Sequence, residues 1–126
     1  MSQVRFDPRD PVIILDARIK ASLSTIAKLV LDTGASSVVL PWKLTAAIGI
    51  KIDPSKTTQT TTATTVETVP EVIIPEISVL GKVARNVKGI VKDLPPESHV
   101  DGLLGLSFLK HFKLSIDFQK GLLTLE

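Results

Sequence analysis

The sequence predicts a mostly β domain, and three observations support this fold class. Hydrophobic residues make up 44% of the 126 residues and aromatic residues only 4%, so valine, isoleucine and leucine must fill the core. Valine and isoleucine favour strands because branched side chains pack well on a pleated sheet. The apolar residues occur in short runs that glycine and proline interrupt, as in strands joined by turns. A chain of this length forms one domain around one core.

The N-terminal residues are predicted to form an extended lead-in and then a β-hairpin. The lead-in is residues 1–11, where Pro8 and Pro11 stand among alternating charges. The domain itself is predicted over residues 12–126. Its first two apolar runs are separated by a short polar turn, which indicates a hairpin. The strands of this hairpin are expected at 12–21 and 26–31.

The rest of the chain is predicted as further strands and two short helices. Pro75 cannot donate a hydrogen bond to a neighbouring strand, so its strand is expected to be an edge or to carry a bulge there. Gly81 marks the turn between the two longest strands. In order, the predicted elements are a strand at 36–41, a helix at 42–48, a hairpin at 57–66, strands at 70–80 and 82–91, a helix at 107–110, and terminal strands at 114–118 and 122–125.

Threonine dominates residues 57–66, which is the most unusual composition in the chain. Threonine is β-branched and tolerates solvent on both faces of a strand, so we predict an exposed β-hairpin here. Low-complexity disorder is the alternative interpretation. The segment contains no glycine, and none occurs between Gly49 and Gly81.

A lone carboxylate, Asp32, stands between an apolar strand and a turn. The strand at 26–31 precedes it, and Gly34 breaks the strand two residues later. An unpaired acid at the end of a core strand is costly, so it normally has a partner, a metal or a chemical role. The simpler interpretation is that Asp32 caps its own turn, as aspartate often does.

Two motifs occur in the order and at the separation found in one protease family. Residues 30–36 read Val-Leu-Asp-Thr-Gly-Ala-Ser, and residues 103–105 read Leu-Leu-Gly before a helical apolar pattern. Together with the threonine-rich hairpin, they make the sequence resemble the retropepsin-like aspartic proteases from about Val12 to the C-terminus. It is most similar to their single-domain cellular branch in bacteria and archaea. The resemblance implies closed, barrel-like sheets with one or two short helices, assembled as a symmetric homodimer.

The same resemblance implies that Asp32 is catalytic. Such chemistry needs two nearby carboxylates that share one proton: one takes a proton from the attacking water, and the other hydrogen-bonds the scissile carbonyl. Asp-Thr-Gly occurs once in the chain, so the second carboxylate must be Asp32 of another copy at a two-fold axis. Thr33 and Gly34 complete the active-site loop. The Thr33 hydroxyl is expected to reach across the two-fold axis, and Gly34 to let the substrate backbone approach closely.

An extended peptide or protein is the implied substrate, bound between the protomers and paired with them like an added strand. The threonine-rich hairpin is then the flap that closes over it. The predicted substrate-binding residues come from the Asp32 loop, the flap and the later motif. They are Ala35, Ala63, Thr64, Thr65, Val66 and Leu104. The terminal hairpin, residues 114–126, is expected to pair with the second copy, because its strands are short and apolar and would otherwise leave an open edge.

Composition argues against several other classes of protein. The net charge is +2 without a block of one sign, and few aromatic residues are present, so no nucleic-acid surface is expected. Cysteine is absent and the two histidines are isolated, so we expect neither a metal site nor a cofactor. No segment resembles a signal region or a membrane span, which favours a cytoplasmic protein without a membrane partner.

Alternatives to this interpretation remain at the level of sequence. Asp101 is expected to stabilise a turn, and Asp117 to face solvent or pin the terminal hairpin. A Ser-His-Asp triad built from Ser36, a histidine and Asp101 is disfavoured, because no nucleophile elbow is present. A dimerisation or peptide-binding module without useful catalysis is the main rival function, and the missing flap glycine favours it. A structural β domain that has the motif by chance is the other.

Overall fold

Strands dominate the structure, a computed structural model that describes residues 2–61 and 64–126. Within these residues there are ten strands and two helices, and the prediction of a mostly β fold is confirmed. The strands are β1 (Gln3–Arg5), β2 (Ile14–Lys20), β3 (Ser24–Leu31), β4 (Val38–Leu40), β5 (Thr57–Thr61), β6 (Val66–Val79), β7 (Lys82–Val91), β8 (Gly102–Leu104), β9 (Leu114–Asp117) and β10 (Leu122–Leu125), and the helices are α1 (Trp42–Ala47) and α2 (Leu106–Leu109).

The larger of two sheets closes into a barrel. Its strand order is β2-β3-β8-β4-β7-β6-β5, and an additional pairing between β2 and β6 closes the ring. Exposed and buried residues alternate along β2, because one face of each barrel strand points to the interior. Aliphatic side chains fill that interior, as the composition predicted, and Phe108 of α2 is the largest fully buried side chain. The predicted closed, barrel-like sheets with two short helices are confirmed.

The strand β8 lies in the barrel wall between β3 and β4 and places the two sequence motifs side by side. It runs parallel to β3 and antiparallel to β4. A Cβ on Gly102 would lie 1.8 Å from the carbonyl oxygen of Val39, so only glycine fits at this position. The Asp101 carboxylate accepts a hydrogen bond from the backbone N–H of Lys28 at 2.7 Å. Asp101, expected to stabilise a turn, therefore fastens β8 to β3.

The threonine-rich segment forms the predicted hairpin in its described part. Residues 57–61 of β5 pair with 66–70 of β6 in a regular antiparallel register. After the hairpin, β6 continues through the barrel to Val79, so the hairpin and the barrel share one continuous strand. Lys92, which follows β7, forms an ion pair with Glu67 of β6, which lies opposite Thr60 near the outer end of the hairpin. Residues 57–61 and 66–70 are therefore ordered as paired strands, contrary to the alternative interpretation of disorder.

Pro75 interrupts the pairing of β6 without shifting its register. Pairing with β7 stops at Pro75, opposite Asn86, and resumes at Glu76 with the same offset. Asn86 has a positive φ of 55°, a left-handed conformation that asparagine tolerates better than most residues. On the other side of β6, β5 pairs up to Pro70 and β2 only from Glu76 onwards. Pro75 therefore occupies a local edge, where its missing N–H leaves no partner unsatisfied.

The smaller sheet joins the two ends of the chain in the order β1-β10-β9. The predicted lead-in supplies β1, which pairs with β10 from Gln3 to Arg5. β10 consequently has a neighbour from its own chain on both sides, contrary to the expectation that its edge is open. Leu123 and Leu125 of β10 are buried in the core. Asp117 accepts hydrogen bonds from the backbone N–H groups of the following turn and thereby pins the terminal hairpin, as predicted.

Candidate active site

Asp32 lies in a tight turn directly after β3. Its backbone N–H donates to the carbonyl of Leu104 at 3.1 Å, which continues the parallel pairing of β3 with β8 by one residue. Its Oδ1 accepts the N–H of Gly34 at 2.9 Å. Within the described residues, Oδ2 has no hydrogen-bond partner, and the side chain is half-buried. Asp32 therefore caps its own turn with one oxygen only, so the turn-capping interpretation leaves the other oxygen available and does not exclude a chemical role.

Backbone hydrogen bonds join the Asp32 loop to the start of α2. The carbonyl of Ala35 accepts the N–H of Leu106 at 2.8 Å, and that of Ser36 accepts the N–H of Ser107 at 3.0 Å. These contacts require Gly105 between the strand and the helix, because a Cβ there would lie 2.3 Å from the carbonyl oxygen of Ser37. The two distant motifs thus form one hydrogen-bonded unit. Steric exclusion of a Cβ explains why the second motif has a glycine at position 105.

Ser107 is a key structural residue that sequence reasoning missed. It is buried on α2, where its hydroxyl donates to the carbonyl of Lys88 on β7 at 2.7 Å and accepts the N–H of Val38 on β4 at 2.9 Å. One side chain therefore ties α2 to two barrel strands behind the active-site loop. The available signal was a single hydroxyl within the apolar run Leu-Ser-Phe-Leu at 106–109.

We expect Ser107→Ala to lower the free energy of unfolding by about 2 kcal/mol, because it removes the acceptor of the buried Val38 N–H and the hydrogen bond to the Lys88 carbonyl. Urea unfolding at one fixed protein concentration measures this loss. Ser115→Ala, at an exposed position on β9, is the matched control and should change stability by less than about 0.5 kcal/mol. Equal midpoints for the two variants would show that the Ser107 hydroxyl does not tie these elements together.

A groove of about 660 Å³ runs past Asp32. Its lining includes Asp32, Gly34 and Ala35 from the loop and residues 58–61 of the hairpin strand β5. Ile90 and Leu103 add apolar side chains to the lining.

Of the two predicted substrate-binding residues outside the hairpin, one lines the groove and the other lies in the core. Ala35 lines the groove. Leu104 was expected to line it too, but its side chain is fully buried in the core, and the neighbouring Leu103 faces the groove instead. The reason is the two-residue period of a strand, which sends adjacent side chains to opposite faces. The motif Leu-Leu-Gly in the sequence does not reveal which leucine faces outwards.

The predicted flap residues lie at the outer end of the hairpin. Thr64, Thr65 and Val66 are exposed, and Val66 begins β6. In the single chain, the flap residues that line the groove are 58–61 of the opposite strand, which sequence reasoning did not select. Ala63, also predicted to bind substrate, lies outside the described residues.

Thr33 faces away from the groove and towards the terminal sheet. It lines a separate depression of about 250 Å³ together with Phe6, Val12 and Phe118. Phe118 is 61% exposed and Val12 is 44% exposed, although both are apolar. The rings of Phe6 and Phe118 meet edge to face, with centroids 5.8 Å apart. We call the surface formed by Phe6, Val12, Thr33 and Phe118 the Thr33 face.

Comparison with known proteins identifies the family. The sequence profile of the family described as "gag-polyprotein putative aspartyl protease" matches residues 22–111, which include both motifs and the flap. The chain belongs to the retropepsin-like aspartic proteases. The crystal structure of a retropepsin-like aspartic protease from Rickettsia conorii superposes on it with a TM-score of 0.68 and 26% sequence identity, over 98% of each chain. No curated protein matches this sequence.

Membership of the retropepsin-like proteases agrees with the geometry around Asp32. The Asp-Thr-Gly loop, the strand β8 and the threonine-rich hairpin all contribute residues to one groove. Among residues 2–61 and 64–126, no cluster of three or more His, Cys, Asp or Glu side chains is arranged to hold a metal ion. In the same residues, neither helix is long and apolar enough to traverse a bilayer.

Proposed function

We propose that this protein is an aspartic endopeptidase that cleaves extended peptides with a pair of Asp32 carboxylates, one from each protomer of a homodimer. The observation that carries the proposal is the state of Asp32. Its Oδ1 is held by the Gly34 N–H, its Oδ2 is open, and its loop lines a groove to which the flap also contributes residues. One such carboxylate per chain is half of a dyad.

The proposed reaction follows from two such carboxylates meeting with one shared proton. The ionised carboxylate takes a proton from a water molecule, and the water oxygen attacks the scissile carbonyl carbon. The protonated carboxyl donates to the carbonyl oxygen as that oxygen gains charge. The tetrahedral intermediate then collapses: one of its hydroxyl groups returns a proton to the carboxylate that had protonated the carbonyl oxygen, the C–N bond breaks, and the other carboxyl gives the proton it took from water to the leaving nitrogen. The Gly34 N–H holds Oδ1 of Asp32 and so orients the carboxylate for these transfers.

The Thr33 face supports assembly with a second copy. Thr33 is the next residue after Asp32, so a partner that covers this face brings its own loop next to Asp32. Phe118 and Val12 expose apolar surface there, which a partner would remove from water. Isologous contact through one face places two copies of the same loop on the two-fold axis. The single Asp-Thr-Gly of the chain then occurs twice in one site.

A dyad within one chain has a single candidate among the described residues that line the groove. Glu71 is the other carboxylate there, but it lies 3.8 Å from the Lys88 ammonium and forms an ion pair with it. No hydrogen bond joins Glu71 to Asp32 in the described part of the chain. The dyad formed by two copies is therefore the better-supported arrangement. An experiment with mixed subunits distinguishes it from a dyad within one chain.

Mixed dimers of wild type and Asp32→Asn test the proposed dyad. If each site needs two Asp32 carboxylates, activity at constant total protein follows the square of the wild-type fraction, because only wild-type homodimers are active. An equal mixture, allowed to exchange subunits, should retain about a quarter of wild-type activity. Activity that falls in direct proportion to the wild-type fraction, to about half, would place the whole site in one chain.

A catalytically weak peptide-binding module on the same fold is the second candidate. It is favoured by the absence of glycine between Gly49 and Gly81, since a flap without glycine has fewer conformations with which to close. The two functions differ in one measurement. An endopeptidase releases new amino termini from a diverse peptide library, whereas a module binds the same peptides and leaves them intact.

A further inference from the structure

Two lysines lie at one end of the groove that contains Asp32. Lys88 belongs to β7, and Lys110 directly follows α2. Both line the groove together with Ser36 and Ser37. Both side chains are exposed, that of Lys88 to 55%, so they are accessible from the groove. We call this part of the groove, formed by Ser36, Ser37, Lys88 and Lys110, the lysine end.

The side chain of Ser107 joins the two elements that carry the lysines. The Ser107 hydroxyl donates to the backbone carbonyl of Lys88 at 2.7 Å, which fixes β7 against α2. Lys110 follows Ser107 by three residues, a spacing that puts both on the same side of the helical turn. The Ser107 N–H donates to the carbonyl of Ser36 at 3.0 Å, which joins the start of the same helix to the serines of the lysine end.

The positive charge of the lysine end is only partly compensated. Lys88 pairs with Glu71 at 3.8 Å, a long and partly exposed contact that stabilises little. Lys110 forms no ion pair with any described residue. A groove that binds an extended chain therefore presents it with an unpaired ammonium group and two serine side chains, Ser36 and Ser37, at this point.

We propose that the lysine end binds an acidic side chain of the peptide substrate, at a position that flanks the scissile bond. The inference rests on the proposed endopeptidase function and names its substrate class. The carboxylate of an Asp or Glu residue of the substrate forms an ion pair with Lys110. It also lies near Lys88, whose ammonium group already pairs with Glu71. In the proposed homodimer each protomer supplies one lysine end, so an acidic residue is favoured on both sides of the cleaved bond.

The expected size of the preference follows from the exposure of the two lysines. Ion pairs at exposed sites contribute up to about 1 kcal/mol, so a peptide with Glu should be favoured over its Gln counterpart by about fivefold at low ionic strength. The ratio should fall towards one as salt is raised, because exposed charges are screened. It should also disappear below about pH 4, where the carboxyl group of the peptide is protonated.

The test measures binding and cleavage separately. Short capped peptides with apolar central residues carry Glu, Gln or Lys at each flanking position in turn. Their binding is measured to Asp32→Asn protein, which is designed to hold peptides intact, and their cleavage by wild type gives kcat/KM. The variants are Lys110→Gln, Lys88→Gln, the double variant and Lys110→Glu. Lys43→Gln is the matched control, since Lys43 is an exposed lysine on α1 that does not line the groove.

The expected result is a preference for Glu over Gln at one flanking position on each side. The double variant should abolish it, Lys110→Glu should turn it into a preference for Lys, and Lys43→Gln should leave it unchanged. Equal binding of Glu and Gln peptides at every position, or a preference unaffected by the double variant, would overturn the inference. Preferential binding of Glu peptides without any cleavage by wild type would support the lysine end as a binding site and reject the endopeptidase function. Cleavage without a preference for Glu would support the endopeptidase function and reject the lysine end as a binding site.

Discussion

Replacing Asp32 by asparagine should lower kcat by at least about 10³-fold while leaving the fold intact. The loss corresponds to about 4 kcal/mol in the activation barrier, as expected when a group that transfers protons is removed. Asparagine is nearly isosteric with aspartate, and its carbonyl oxygen can still accept the Gly34 N–H that holds Oδ1. What the amide cannot do is share a proton with a second carboxylate. Cleavage of library peptides, quantified by new amino termini, measures the effect.

Asp16→Asn is the matched control for this substitution. Asp16 is an exposed aspartate on β2, paired only with Lys28 among the described residues, and it does not line the groove. Its replacement makes the same chemical change on the outside of the barrel and should leave kcat within about twofold of wild type. If Asp32→Asn and Asp16→Asn both kept near wild-type turnover, within about tenfold, the chemistry would have to be assigned to other residues.

Charge on the Thr33 face should convert the protein to inactive monomers. We expect Phe118→Asp combined with Val12→Asp to abolish dimers in sedimentation at micromolar concentration and to remove cleavage with them. Both side chains are exposed in the single chain, so the substitutions create no cavity in the core. In a dimer, two buried aspartates from each copy would face their symmetry mates, and both repulsion and desolvation oppose association.

The control for the Thr33 face is Leu23→Asp. Leu23 is 64% exposed and lies in the turn before β3, whereas Thr33 follows the other end of that strand. This variant should remain dimeric and active. A Phe118→Asp, Val12→Asp protein that still sediments as a dimer would place the interface elsewhere. Removing residues 122–126 is a poorer test, because Leu123 and Leu125 belong to the core and their loss would unfold the domain.

The active-site loop could be predicted from sequence because its requirements are local. Asp32 follows an apolar strand, and Gly34 places its N–H against Oδ1, all within three residues. The second motif was recognisable as the pattern Leu-Leu-Gly, but the steric need for its glycine is a tertiary one, because Gly105 must avoid the carbonyl oxygen of Ser37, far earlier in the chain. The groove itself was less predictable. Its lining residues come from β5, β7, β8 and α2 as well as from the Asp32 loop. The side chains that a strand turns towards the groove depend on its register: Leu103 lines the groove, whereas the adjacent Leu104 is buried in the core.

The sequence by itself determined the fold class, the family and the candidate carboxylate, Asp32. These predictions depend on short β-branched runs, two spaced motifs and a single Asp-Thr-Gly. Each is a pattern among neighbouring residues, so it can be recognised before the three-dimensional structure is known. Only the tertiary structure decided that β1 covers the edge of β10, that the Ser107 hydroxyl joins three elements, and that Lys88 and Lys110 meet at the groove. Each of these contacts joins residues far apart in the chain. Their meeting depends on barrel closure and strand order, which no local pattern encodes.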